Sequence, residues 1–291
     1  MRNLVMTLML LLVSASASAN DVEDGLQAFE RGEYDIAVSL FRKAAEQGDA
    51  DGQYNLGWAY ANGVGGPRND EQAVYWYRKA ARQGANLAQN NLGMMYRNGR
   101  GVALDDEQAV YWFNKAAEQG VAAAQANLAM MYDQGKGVSV DYERAAYWYK
   151  KAAAQDVAVA QFNLGHMYGA GEGMPRNYQR MAYWFTRAAE QGFALAQRDL
   201  GLAYANGRGV ARDYVQAYVW FSLAADQGEH AAGDYLPSLE KQMKPEEIAV
   251  ARRKVDAWLV SRNEQELRLN LTACPSTVRN ADDPGAICFA Q

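Results

Sequence analysis

Residues 73–84 read AVYWYRKAARQG. The small or apolar residues Ala73, Trp76, Tyr77, Ala80, Ala81 and Gly84 fall at offsets 0, 3, 4, 7, 8 and 11 of this stretch. That spacing puts them on one face of a helix with 3.6 residues per turn. The same stretch returns as AVYWFNKAAEQG from Ala109, then from Ala145, Met181 and Ala217, with a weaker copy from Ala37. Every step is 36 residues, with no insertion. A fixed period of this length marks a solenoid, in which each unit buries its apolar face against its neighbours and closes no core of its own.

Each period holds a second helix. Residues 88–99 carry Ala88, Leu92, Gly93 and Tyr96 on one face. Across the repeats Leu56, Leu92, Leu128, Leu164 and Leu200 hold one position of this helix, and Tyr60, Tyr96, Tyr132, Tyr168 and Tyr204 another. Fully burying one such large side chain stabilises by about 1.5–3 kcal/mol. The punctuation agrees. Asn69, Asp105, Asp141, Asn177 and Asp213 stand four residues before each first anchor, where an N-cap accepts from free helical N–H groups. Gln72, Gln108 and Gln216 follow at the capping-box position. Pairs such as Gly99/Gly101 and Gly135/Gly137 close the Leu-bearing helices, as left-handed C-caps require. Gly48, Gly84, Gly120, Gly192 and Gly228 end the other helices, with Asp156 in that place once.

The pattern A-x-x-W-x-x-K-A-A-x-x-G, followed by A-Q-x-x-L-G-x-x-Y-x-x-G-x-G-V-x-x-D, resembles the Sel1-like repeat, a relative of the tetratricopeptide repeat. Residues 73–84 with 88–105 fit it at almost every position, and the resemblance extends from about Gly25 to Leu236. It implies an all-α fold: a right-handed α/α superhelical solenoid of about six 36-residue repeats, whose concave face contacts other proteins. The ends depart from the repeat. Residues 21–31 read as an opening helix. Near the other end Pro245 suits a first helical position, and Ile248, Ala251, Val255, Trp258 and Leu259 form one apolar face of a C-terminal capping helix over 241–263. The solenoid itself is placed at 20–240, and 264–291 is expected to be an irregular tail. That tail holds Cys274 and Cys288, the only two cysteines, which are expected to form a disulfide.

The N-terminus reads as a leader. Arg2 precedes the aliphatic run Leu4–Val13, and Ala17-Ser18-Ala19 has the form of an A-x-A cleavage site before Asn20. The apolar run is about ten residues, too short to cross a bilayer. Residues 1–19 are therefore expected to be a cleaved signal peptide, and the mature chain to be periplasmic or secreted. This oxidising destination fits the expected disulfide.

Composition restricts the chemistry. The net charge of −5 offers no general basic surface for nucleic acid. Two histidines cannot furnish a His-rich metal site, so no metal and no cofactor is called for. The chain lacks G-x-S-x-G and H-E-x-x-H. Ser238-Leu-Glu-Lys241 has the S-x-x-K form, without S-D-N or K-T-G beside it. Cysteine-rich Sel1-like proteins are associated with β-lactams, but here the repeats carry no cysteine. The chain is accordingly read as non-enzymatic, with a cell-envelope hydrolase of β-lactam or peptidoglycan as the alternative.

The residue two after each anchor Leu projects about 200° from it. By resemblance this helix lines the concave surface, so Trp58, Met94, Met130, His166 and Leu202 form a candidate groove for a partner protein or peptide. Positions two before the anchor add Tyr54, Asn90, Ala126, Phe162 and Arg198. Aromatic and Met side chains bury much area and adapt to a partner. A second ladder, Tyr75, Tyr111, Tyr147 and Tyr183, is expected on the convex side or in the seam between repeats. A homodimer through that ladder or the terminal repeat is a third reading.

Overall fold

The computed structural model describes residues 20–272, with side chains through 262 and at 264. Helix α1 covers 20–30. Twelve-to-thirteen-residue helices then alternate between two layers. The outer layer is α2 (Tyr34–Glu46), α4 (Asp70–Arg82), α6 (Asp106–Glu118), α8 (Tyr142–Ala153), α10 (Tyr178–Glu190) and α12 (Tyr214–Asp226). The inner layer is α3 (Ala50–Asn62), α5 (Asn86–Asn98), α7 (Ala122–Gln134), α9 (Ala158–Ala170) and α11 (Ala194–Asn206). Short helices α13 (His230–Gly233) and α14 (Leu236–Glu240) lead into α15 (Pro245–Thr272).

The caps fall where the repeat places them. Asn69, Asp105, Asp141, Asn177 and Asp213 each accept from the backbone N–H three residues on, at 2.9–3.0 Å. Each of these N-caps also gives its own N–H to the Tyr carbonyl of the preceding inner helix, Asp105 to Tyr96 at 3.1 Å for example. One residue thus starts an outer helix and closes the loop before it. The inner helices end on left-handed glycines such as Gly99 at φ +63°. Asp156 adopts φ +60° in the place of a glycine. An acidic side chain tolerates that conformation through local bonds: its carboxylate accepts from Gln161 Nε2 at 3.1 Å and pairs with Arg187.

The anchor leucines are fully buried, as are the paired alanines of α2, α4, α6, α8 and α10; on α12 Ala224 is buried and Ala225 half-buried. Successive repeats meet closely because the residue after the anchor is small. Gly57, Gly93, Gly165 and Gly201 lie against the rings of Tyr77, Phe113, Phe185 and Phe221, where a Cβ would come within 2.6–2.9 Å. The third repeat has Ala129 in that place, and Tyr149, which holds the column of those rings, is buried in the same cluster.

A second contact was not foreseen. Gln53, Gln89, Gln125, Gln161 and Gln197 are all buried. Each donates from Nε2 to the outer-helix carbonyl eight residues back, at 3.1–3.3 Å. Each also accepts on Oε1 from the glutamine thirty residues on, at 2.7–2.9 Å. This glutamine ladder runs the length of the stack, joining every repeat to the next.

The C-terminal cap packs as its apolar face requires. Ala251 is fully buried, and Ile248, Val255, Trp258 and Leu259 lie against the cluster that holds Phe221 and Leu223. Lys244 N–H donates to the Glu247 carboxylate at 2.8 Å, fixing the start of α15. The helix then continues to Thr272, nine residues past the boundary set by the loss of apolar periodicity. Glu264, Gln265, Glu266, Leu267 and Arg268 are strong helix formers, so propensity favours the helix beyond the point where the apolar periodicity of the sequence ends. The expected signal peptide at 1–19 and the Cys274–Cys288 pairing lie outside the described residues.

Candidate functional site: the inner face at the fourth and fifth repeats

The positions two before and two after the anchor have different environments along the stack: most are half-buried, His166 is exposed, and Asn90 and Ala126 are buried. At the first repeat Tyr54 packs against Tyr77 with centroids 6.0 Å apart, and Trp58 stands edge-on to Phe29 of α1 at 5.4 Å. Burial raises the Tyr54 hydroxyl pKa, against a lowering hydrogen bond with Asn91. In the middle repeats the row is filled by core-like packing. Asn90 and Ala126 are buried, and Met94 and Met130 lie half-buried on the central cluster. The Asn90 amide is held by a chain in which Asn127 Nδ2 donates to its Oδ1 at 3.3 Å, and Arg97 donates to Asn127 at 3.0 Å.

The arrangement opens between α9 and α11. There Phe162, His166, Arg198 and Leu202 come together with groups that the sequence reading did not single out. His166 Nε2 lies 2.9 Å from Asp199 Oδ2. Arg198 reaches Asp199 at 2.8 Å and Glu229 at 3.2 Å. Burial pushes the Asp199 carboxyl up, but the hydrogen bonds from His166 and Arg198 outweigh it and hold the group below its ordinary value. The His166 ring is also fixed edge-on, 4.5 Å from Phe162 and 5.0 Å from Phe185. A cavity of about 440 Å³ opens beside this cluster. Met181, Phe185, Leu202 and Ala203 give it an apolar floor, while His166, Arg198, Asp199, Asn206 and Arg208 give it a polar rim.

The cavity exists at this junction because of departures from the repeat. Gly169 stands where the second and third repeats have Arg97 and Asp133, so no side chain fills the space over Met181. Asp199 replaces the Asn found at 91, 127 and 163. Arg208 corresponds to Arg100, which bonds Asp70 at 3.0 Å; facing Tyr178 instead, Arg208 lies over the ring at 5.2 Å. These column-by-column departures were the signal available in the sequence. Reading the anchors alone passes over them.

Other features have plain structural placements. Ser238 donates its hydroxyl hydrogen to the Tyr235 carbonyl at 2.8 Å, and neither Ser238 nor Lys241 lines the cavity. Among the described residues no His, Cys, Asp and Glu side chains group as a metal site, and no helix is long and apolar enough to cross a membrane.

The Sel1 repeat matches six consecutive segments: 23–49, 50–84, 86–121, 122–157, 158–193 and 194–229. The chain belongs to the Sel1 repeat family. It is similar to a protective antigen of uropathogenic Escherichia coli that displays an SLR fold, with 38% identity, a TM-score of 0.74 and coverage of 86% of this chain. A Sel1 repeat protein from Oxalobacter formigenes is also similar, at 35% identity and a TM-score of 0.68 over 77% of this chain. The chain spans 56% and 66% of those two structures. An F-box protein of Arabidopsis thaliana shares 49% identity over 55 residues, which are 19% of this chain and 15% of that protein. The Sel1 repeat is generally a scaffold for protein–protein interaction and is typically non-catalytic.

Proposed function

We propose that this Sel1 repeat protein is an exported scaffold that holds a partner protein by an extended segment laid along its inner face. An apolar side chain of that segment is seated in the cavity beside His166 and Asp199. The cavity is the observation that carries this reading. Its volume lies in the usual range for a binding site, about 300–1,000 Å³, and its apolar floor with convergent polar groups suits an anchoring side chain flanked by peptide N–H and C=O groups. The contact of His166 with Asp199, together with the ion pairs of Arg198 with Asp199 and Glu229, fixes the rim, so little ordering remains to oppose binding. The leader-like residues 1–19 support export to the periplasm or beyond.

A photo-reactive residue at Ala170, which is exposed at the cavity, tests the reading in the native cell. One heterologous protein should crosslink there, and the same residue placed at Glu118 on the outer layer should not capture it. Equal capture from both positions, or none at 170, would contradict an inner-face site.

A further inference from the structure

We propose that the outer face of the solenoid is a docking surface for a second copy of this chain. On α4, α6 and α8 the outermost residues are Glu71–Tyr75–Lys79, Glu107–Tyr111–Lys115 and Glu143–Tyr147–Lys151; α10 continues the pattern with Gln179–Tyr183–Arg187. Members of each set are four residues apart, so they stack on one face of the helix a turn apart. All are exposed. The tyrosines retain 46%, 51%, 52% and 53% of their surface, whereas Tyr149 on the core side of α8 retains 1%. Each exposed ring stands edge-on to the tryptophan that follows it, at 4.9–5.0 Å. Lys79 and Lys151 lie over the rings of Tyr75 and Tyr147 at 4.9 and 5.0 Å. The rings are therefore already ordered, and a contact made with them costs little rotamer entropy.

Three parallel rows thus cross the repeats: carboxylate, phenol and cation. Arg187 is paired with Asp156, so the complete pattern belongs to α4, α6 and α8. The charge arrangement selects the occupant. A polyanion would meet the glutamate row one turn from the lysines, and a polycation the reverse. A second copy turned about a two-fold axis along the tyrosine row meets neither conflict. Its lysines fall on the glutamates, its glutamates on the lysines, and tyrosine meets tyrosine, which is the self-complementarity an isologous contact requires.

The flanking helices bound the surface. On α2 the corresponding residues are Asp35, Ser39 and Lys43, and Lys43 is tied to Asp21 at 2.7 Å. On α12 they are Val215, Val219 and Leu223; the last two are buried in the cluster that contains Ala251 of α15. The chain covers this stripe with its own capping helix where the stripe is apolar. The charged and aromatic units that continue it are left open.

Sedimentation velocity of the purified full chain over a range of concentrations tests the proposal. Wild type should self-associate to a dimer. Glu107→Lys with Glu143→Lys, and separately Lys115→Glu with Lys151→Glu, should each sediment as monomers, and an equimolar mixture of the two should restore the dimer. Adding Tyr111→Ser and Tyr147→Ser to one member of the mixture should weaken association by about ten-fold or more. Thermal melts matching wild type verify that the variants are folded. A wild type that stays monomeric overturns the proposal, as does self-association unchanged by the charge reversals, or a mixture that remains monomeric.

Discussion

Replacing Gly137 by alanine should destabilise the protein by about 3 kcal/mol, whereas alanine at Gly120 should cost about 1–2 kcal/mol. Both glycines have positive φ, +67° and +90°. An L-residue pays backbone strain at either position. The surroundings separate them. A Cβ at 137 would collide with the Asp106 carbonyl and approach the Glu107 nitrogen to 2.7 Å, whereas at 120 nothing lies within 4 Å. Gly101, Gly173 and Gly209 repeat the first situation against the backbones of Asp70, Tyr142 and Tyr178. Each of these loops folds onto the first turn of the outer helix one repeat earlier, and backbone cannot give way as a side-chain tip can. Thermal melts of the two variants should differ by several degrees, since about 1 kcal/mol moves the midpoint of a chain this size by about 2–4 °C. Equal midpoints would show that the loop does not hold this close approach in solution.

The second large effect is expected at Gln125. Its amide donates to the Ala117 carbonyl at 3.2 Å and accepts from Gln155 at 2.8 Å, with almost no exposure to solvent. Gln125→Glu keeps shape and volume but removes the donor, and at neutral pH it places a carboxylate against a carbonyl oxygen. Breaking the complementarity of a buried charged site typically costs about 3–5 kcal/mol. Burial must raise the folded-state pKa of the introduced carboxyl above its unfolded value of about 4.3. The variant should therefore be near wild type below about pH 4, where the protonated acid can donate to Ala117, and lose stability as the pH rises through the folded-state value. Wild-type Gln125 has no such titration. Melting curves from pH 3 to 8 for both proteins check this, and a pH-independent deficit would remove the charge explanation. In a linear array the damage falls on the coupling between neighbours, so the Gln125→Glu melt should also broaden.

These two cases show what was legible in the sequence and what was not. The 36-residue period, the N-caps at Asp105 and Asp141, the anchor leucines and the glycine pairs were all readable, because each expresses a local rule that a single repeat displays. The glutamine ladder was visible as a recurring Gln before each anchor, but its purpose was not. Its partner lies thirty residues on, in the next repeat, and nothing local signals that distance. The end of α15 was missed for the opposite reason: the boundary was set by apolar periodicity, and Glu264–Arg268 are helical without that pattern in the sequence. The inner-face positions were reached by counting from the anchor, a rule that treats every repeat alike. The structure shows that they are not alike. Asn90 and Ala126 are closed in, while His166, Arg198 and Leu202 border an open cavity. The difference turns on Gly169 and Asp199, which differ from Arg97 and Asn163 in their columns, and on Arg208, which faces Tyr178 where Arg100 faces Asp70.

Recognition in such a stack is expected where the repeat is broken, since identical units offer a partner no unique register. The junction of the fourth and fifth repeats has the needed asymmetry. Its ion-paired rim and apolar floor occur together around one cavity, on a scaffold held rigid on both sides by the glutamine ladder.

The most direct test of this account is Ala170→Trp, which fills the mouth of the cavity from an exposed position near the end of α9 without touching the anchors or the ladder. Peptides selected for binding to the wild-type chain should share one apolar anchor residue and lose about ten-fold or more in affinity for the variant, while its melting midpoint stays within a few degrees of wild type. Affinities unchanged by Ala170→Trp would show that the cavity is not where this protein holds its partner.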